Sequence, residues 1–211
     1  MGQRFDRLKP AATVLVLLCV VTSACRYWAG PLPLGTRNGV RNATGAASQT
    51  WAEPIGLPGL PNLHKVSDGL YRGAQPTARG IPEFQKLAIA TVVNLQTSDT
   101  DATLIDQSVL SYEHIPMTPW TVDEAGVVRF LEVAADPNAL PVFVHCRHGA
   151  DRTGLVCATY RVTVQGWSKD AAIAEMTAGG FGFYSGWQNI IRYIRDLDVK
   201  ELRRRAGLTI E

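Results

Sequence analysis

Cysteine is scarce in this chain. Its 211 residues hold only Cys19, Cys25, Cys146 and Cys157, with no C-x-x-C pair and no zinc-like spacing. A disulfide framework and a structural metal are therefore not expected. An excess of charge is also missing: 21 basic against 19 acidic side chains leave a net charge of +2. That balance argues against a nucleic-acid partner and against an acidic tail. The most apolar stretch, residues 11–24, falls short of the ~20 residues a membrane-spanning helix needs. No internal repeat is visible. What remains is a chain long enough to bury one core without staples.

The N-terminus does carry a message. Arg4, Arg7 and Lys9 precede the apolar run AATVLVLLCVVTSA, and small residues then lead to Cys25. A basic region, a short apolar region and a small-residue boundary describe an export signal. Ser23-Ala24-Cys25 resembles a bacterial lipoprotein processing site, although Thr22 stands where such sites usually carry leucine. The expectation is export to the bacterial cell envelope, with Cys25 acylated and the protein tethered to a membrane surface. An uncleaved short anchor and simple secretion are the alternatives. Residues 1–25 thus form the signal, 26–62 a Gly-, Pro- and Asn-rich flexible linker, and 63–211 the folded domain.

Within the domain, helical and strand textures alternate. Short apolar or β-branched runs at GLYRG (69–73), ATVVNLQ (90–96), SYEHIPM (111–117) and PVFVHC (141–146) read as strands. Helical spacing links Ile81, Phe84 and Leu87, with Thr77 as the expected cap, and then Val127, Phe130, Leu131 and Ala134. TGLVCATYRVTVQG follows as a mostly apolar helix, and Ser168 caps another through Ala178. Trp187, Ile190, Ile191, Ile194 and Leu197 mark one last long helix. The alternation predicts an α/β fold, with a mainly parallel central sheet flanked by helices. Reactive loops in such sheets lie at the carboxyl ends of strands.

One loop stands at such an end: HCRHGADRTG, residues 145–154. Backbone N–H groups between a strand end and a helix start can converge on one anion. Gly149 permits a backbone path closed to other residues, and Ala150 leaves the cup open. Arg147, His148, Gly149, Ala150, Asp151 and Arg152 are the expected phosphate-binding positions, with Arg152 presenting a planar fork to two oxygens. Cys146, at the base, gains thiolate character from the same N–H groups and helix dipole. An anion cup around a thiolate implies nucleophilic attack on a phosphate ester.

The pattern H-C-x5-R-T-G resembles the phosphate-binding loop of the cysteine-dependent protein tyrosine and dual-specificity phosphatases. Residues 64–96 are similar to the opening of compact members of that family, and the likeness extends over about 64–197. The resemblance implies a dual-specificity phosphatase-like fold and hydrolysis of phosphomonoesters through a phosphocysteine on Cys146. It makes Arg152 the transition-state clamp and Thr153 the donor to the departing thiolate. His145 orients the loop. No cofactor and no metal is implied. The partner is a phosphorylated substrate: a protein, an inositol phosphate or a phospholipid headgroup. A rhodanese-like sulfurtransferase and a catalytically weak phospho-binding module are the competing classes.

The general acid is the open position. Where the family usually carries an upstream aspartate, this chain reads HIPMTPW, with Asp123 and Glu124 slightly later. Asp151 is the other candidate, because the D-R-T run resembles the loop of myotubularin-like lipid phosphatases. Asp123 and Glu124 equally suit a helix start. Cys157 reads as core, with a disulfide to Cys146 as the alternative. His64 and His114 read as ordinary strand or loop residues, and Trp120 and Trp187 as packing.

Overall fold

The computed structural model describes residues 49–208. The expected signal, Cys25 and most of the expected linker lie outside these residues. Six strands form one sheet: β1 (Glu53–Pro54), β2 (His64–Ser67), β3 (Leu70–Ala74), β4 (Thr91–Asn94), β5 (Ser111–His114) and β6 (Val142–Cys146). Their spatial order is β1-β2-β3-β6-β4-β5. The pairs from β3 through β6 and β4 to β5 are parallel, while β1, β2 and β3 pair antiparallel. The sheet is thus mixed: a parallel half carries a two-strand antiparallel edge.

Six helices complete the domain: α1 (Ile81–Lys86), α2 (Glu124–Ala135), α3 (Asp151–Thr163), α4 (Lys169–Ala178), α5 (Gln188–Asp196) and α6 (Val199–Arg205). Two cores result. The larger gathers Val93, Val144, Phe130, Leu131, Val156 and Ile194, and the smaller Phe84, Val92, Tyr71 and Phe143. β6 contributes to both and is buried at every position, because it lies between β3 and β4 with both faces covered. That position explains the unbroken apolar run before the loop. α3 is buried from Thr153 through Thr163.

Two expectations need correction. Residues 49–62 are not all linker: β1 pairs with β2, and Ala52 and Leu60 are buried. The Ala52 N–H donates to Glu175 Oε1 at 2.7 Å, and the Arg161 guanidinium that binds Glu175 also reaches Thr50 O at 3.2 Å. A buried ion pair has therefore drawn a polar-looking segment into the fold. Thr77 does not cap α1; its N–H bonds Gly59 O, and the helix starts later, where Pro82 suits its first turn. The last expected helix, over residues 187–197, is α5, and a further short helix follows it. Leu197 turns out of helical geometry, and Asp198 caps α6 through the Glu201 N–H at 3.0 Å.

Candidate active site

β6 delivers Cys146 to the carboxyl edge of the sheet, in register with Ala74 of β3, and α3 begins five residues later at Asp151. The helix has Ala150 at its N-cap, which offers no side-chain acceptor, so the first-turn N–H groups stay turned to the loop. Gly149 has φ +69°, and a Cβ there would come within 2.4 Å of the Gly73 carbonyl carbon. Only glycine fits this close crossing of loop and β3.

Cys146 is buried. Burial opposes its ionisation, but the Thr153 hydroxyl and N–H, the Arg152 charge and the His148 N–H together bring the thiol below its ordinary pKa. Thr153 Oγ1 is itself buried and makes no other hydrogen bond among the described residues, so its proton is available to the sulfur. Arg152 Nη1 spans the carbonyls of Leu95 and Met117 at 3.4 and 3.3 Å. These mark the ends of β4 and of the segment after β5. Arg147 and His148 are exposed, whereas Gly149 and Ala150 are buried.

The three acid candidates separate. Asp151 stands in the loop, half-buried, and its Oδ1 accepts the Tyr184 N–H at 2.9 Å. Asp123 caps α2 through the Ala125 N–H at 3.1 Å, and Glu124 is ion-paired with Arg205 of α6. Both upstream carboxylates are engaged by helices. Asp151 alone is a member of the loop.

His145 is fully buried, with Nε2 3.0 Å from Asp101 Oδ2. Asp101 Oδ1 accepts from Gln75 Nε2 at 2.8 Å, tying the end of β3 to the same carboxylate. Neither Asp101 nor Gln75 was legible as a site residue, since TSDTDATL reads as an ordinary polar loop. Arg72 and Asn62 were also missed. Arg72 Nη2 donates to Gly149 O at 2.8 Å from a fully buried strand, and Asn62 Nδ2 donates to His148 O at 2.9 Å. An arginine between the buried positions of GLYRG was the only available signal.

Cys146 and Cys157 are both free, so the alternative disulfide is not formed. Cys157 packs in the core, where burial pushes its thiol up to about 11. His64 packs edge-on against Phe181 and His114 Nε2 meets Gln96 O, both structural roles. Trp187 packs against the larger core, but Trp120 does not pack: it is 66% exposed at a cleft shared with Asn189 and Tyr193. The residue before it is fixed by Asn189 Nδ2, which donates to Pro119 O at 2.9 Å. No group of side chains suited to a metal ion occurs among the described residues.

Residues 62–188 match the family described as PTP-NADK, DSP-PTPase phosphatase fused to NAD+ kinase. The chain belongs to this phosphatase family. It is 36% identical over 195 residues to the dual specificity protein phosphatase TpbA of Pseudomonas aeruginosa, covering 92% of this chain and 85% of TpbA. The crystal structure of a TpbA variant in complex with pTyr superposes with TM-score 0.67 at 36% identity, covering 78% of this chain and 100% of that one. Inositol diphosphatase DSP5 of Arabidopsis thaliana is 26% identical, over 68% of this chain and 73% of its own length. The protein is a cysteine-dependent phosphatase of the dual-specificity type with the α/β fold of that family.

Proposed function

We propose that Cys146 attacks the phosphorus of an aryl phosphomonoester, above all phosphotyrosine in proteins, while Arg152 and the loop N–H groups hold the equatorial oxygens. The observation that carries this is the depressed Cys146 thiol at the open N-terminus of α3. Arg147, His148, Gly149, Ala150, Asp151 and Arg152 form the phosphate cup. Attack forms the S–P bond and breaks the P–O bond to the leaving phenol, which takes a proton from Asp151. Water then attacks the phosphocysteine with Asp151 as base, releasing phosphate, and Thr153 stabilises the departing thiolate. The TpbA complex with pTyr supports the aryl substrate. The relatives named inositol diphosphatases favour a second reading, in which the ester is an inositol phosphate.

The N-terminal sequence supports an envelope location with Cys25 acylated, which would present the domain to substrates at a membrane surface. Phosphate release from phosphotyrosine peptides, inositol phosphates and anionic phospholipids separates the substrate classes. A preference of kcat/KM for either non-peptide class overturns the phosphotyrosine assignment. Mass spectrometry of the mature N-terminus, with membrane partition of the Cys25→Ala variant, tests the location.

A further inference from the structure

Three consecutive loop carbonyls are each drawn away from the cup by a donor outside the loop. Arg147 O accepts the Gln75 N–H at 3.4 Å, His148 O accepts Asn62 Nδ2 at 2.9 Å, and Gly149 O accepts Arg72 Nη2 at 2.8 Å. A trans peptide unit holds its C=O and N–H on opposite sides. Fixing those carbonyls outward therefore turns the N–H groups of His148, Gly149 and Ala150 inward. The first of them already bonds the Cys146 sulfur.

Arg72 is the unusual member of the set. It is 1% exposed on β3, its guanidinium carbon lies 3.6 Å from the Phe181 ring centroid, and among the described residues its Nε has no hydrogen-bond partner. Among the described residues no carboxylate is paired with it. Burial works against its charge, and the buried Glu175 carboxylate and a thiolate at Cys146 support that charge at a distance. Phosphate bound at the loop would add to that support. Asn62 is anchored in turn, since Nδ2 also reaches Phe181 O at 2.9 Å, and its φ of 55° is a left-handed geometry that asparagine tolerates.

We propose that Arg72 and Asn62 are positioning residues which hold the peptide planes of the catalytic loop so that its N–H groups face the substrate phosphate. Arg72 fixes the plane that delivers the Ala150 N–H, and Asn62 the plane that delivers the Gly149 N–H. Residues outside the H-C-x5-R motif thus set the polarity of the cup. This inference rests on the reading of the loop as the phosphate site.

The test uses the full chain and two readouts. One is the pH dependence of Cys146 alkylation, followed by mass spectrometry at the Cys146 peptide; the other is vanadate inhibition. Arg72→Met should move the alkylation midpoint to higher pH and weaken vanadate about tenfold, as expected for one lost charge-assisted hydrogen bond. Asn62→Gly keeps the left-handed backbone and removes only the carboxamide; about threefold weaker vanadate binding is expected. Ile194→Ala, in the larger core on α5, should lower Tm while moving neither readout. Folded Arg72→Met with both readouts unchanged overturns the proposal. If Arg72→Met does not fold, unchanged vanadate affinity in Asn62→Gly overturns it. A wild-type chain with an ordinary thiol midpoint and no vanadate inhibition instead refutes the phosphate-site reading, and this inference falls with it.

Discussion

Nε2 of His145 lies 3.0 Å from Oδ2 of Asp101, and neither side chain has any exposure. The contact joins the residue before the nucleophile to a 3-10 turn at Asp101–Thr103. It gives the site a pH dependence of its own. Burial favours protonation of Asp101, but the hydrogen bonds from His145, Gln75 and Thr100 outweigh it and hold the carboxyl below its usual range. A carboxyl depressed in the fold contributes stability above its unfolded pKa of ~3.9 and loses it as pH falls through the folded value. Unfolding free energy should therefore drop below about pH 4, and Asp101→Asn should flatten that limb. Denaturant unfolding between pH 3 and pH 7 measures both; an unchanged limb in Asp101→Asn removes Asp101 as its source.

Cys146→Ser should abolish turnover of aryl phosphates yet still bind vanadate, because the N–H groups and Arg152 survive. Arg152→Lys should be nearly inactive, since an ammonium cannot reproduce the planar fork. Steady-state hydrolysis and vanadate titration check these outcomes. Substantial activity in Cys146→Ser would falsify the phosphocysteine route.

Asp151→Asn should slow alkyl phosphates by about 10²–10⁴-fold, the common worth of general acid catalysis, and aryl phosphates with good leaving groups far less. Asp123→Asn and Glu124→Gln are the matched comparisons. Their carboxylates serve the α2 cap and the Arg205 ion pair, so they should cost stability without leaving-group dependence. A leaving-group-dependent loss in either one, and none in Asp151→Asn, moves the acid to the upstream loop.

Gly149→Ala should be the most damaging small change in the loop. The added methyl meets the Gly73 carbonyl in a left-handed backbone. A cost of about 1–3 kcal/mol from the backbone alone is expected, with vanadate binding lost. Urea unfolding and calorimetric titration test it; a stable variant that binds vanadate normally places the loop and β3 farther apart.

A chain beginning at His64 should be less stable than one beginning at residue 49, by roughly 3 kcal/mol or more. It forfeits the burial of Leu60 and Leu63 and leaves Glu175 without the Ala52 N–H. Thermal unfolding of the two lengths decides the point, and equal Tm values return these residues to linker status.

Most of the fold was legible because its central strands β3, β4 and β6 are buried on both faces and its helices punctuate them. VFVHC could be placed between neighbours from its unbroken apolar texture, and Ser168 as a cap from its hydroxyl. The β1 edge was not legible: AEPIGLPGLPN looks like linker until β2 pairs with Glu53 and Pro54 and Glu175 of α4 accepts the Ala52 N–H. In the site, the loop motif compresses Cys146, Gly149, Asp151, Arg152 and Thr153 into one readable stretch. Arg72 and Asn62 act on the same loop from 77 and 86 residues away. No local pattern records a contact of that span. Trp120 misled for a related reason: the residue before it is tied to Asn189, 70 residues away, through the Pro119 carbonyl.

The Arg161–Glu175 pair also has a mechanical side. Tension applied to the chain ahead of Thr50 enters the domain at Thr50 and Ala52, where backbone atoms are fastened to buried charges of α3 and α4. The strand order then puts β2 and β3 between that point of load and β6. A pull strong enough to peel the edge strand would be spent there first, two strands from Cys146.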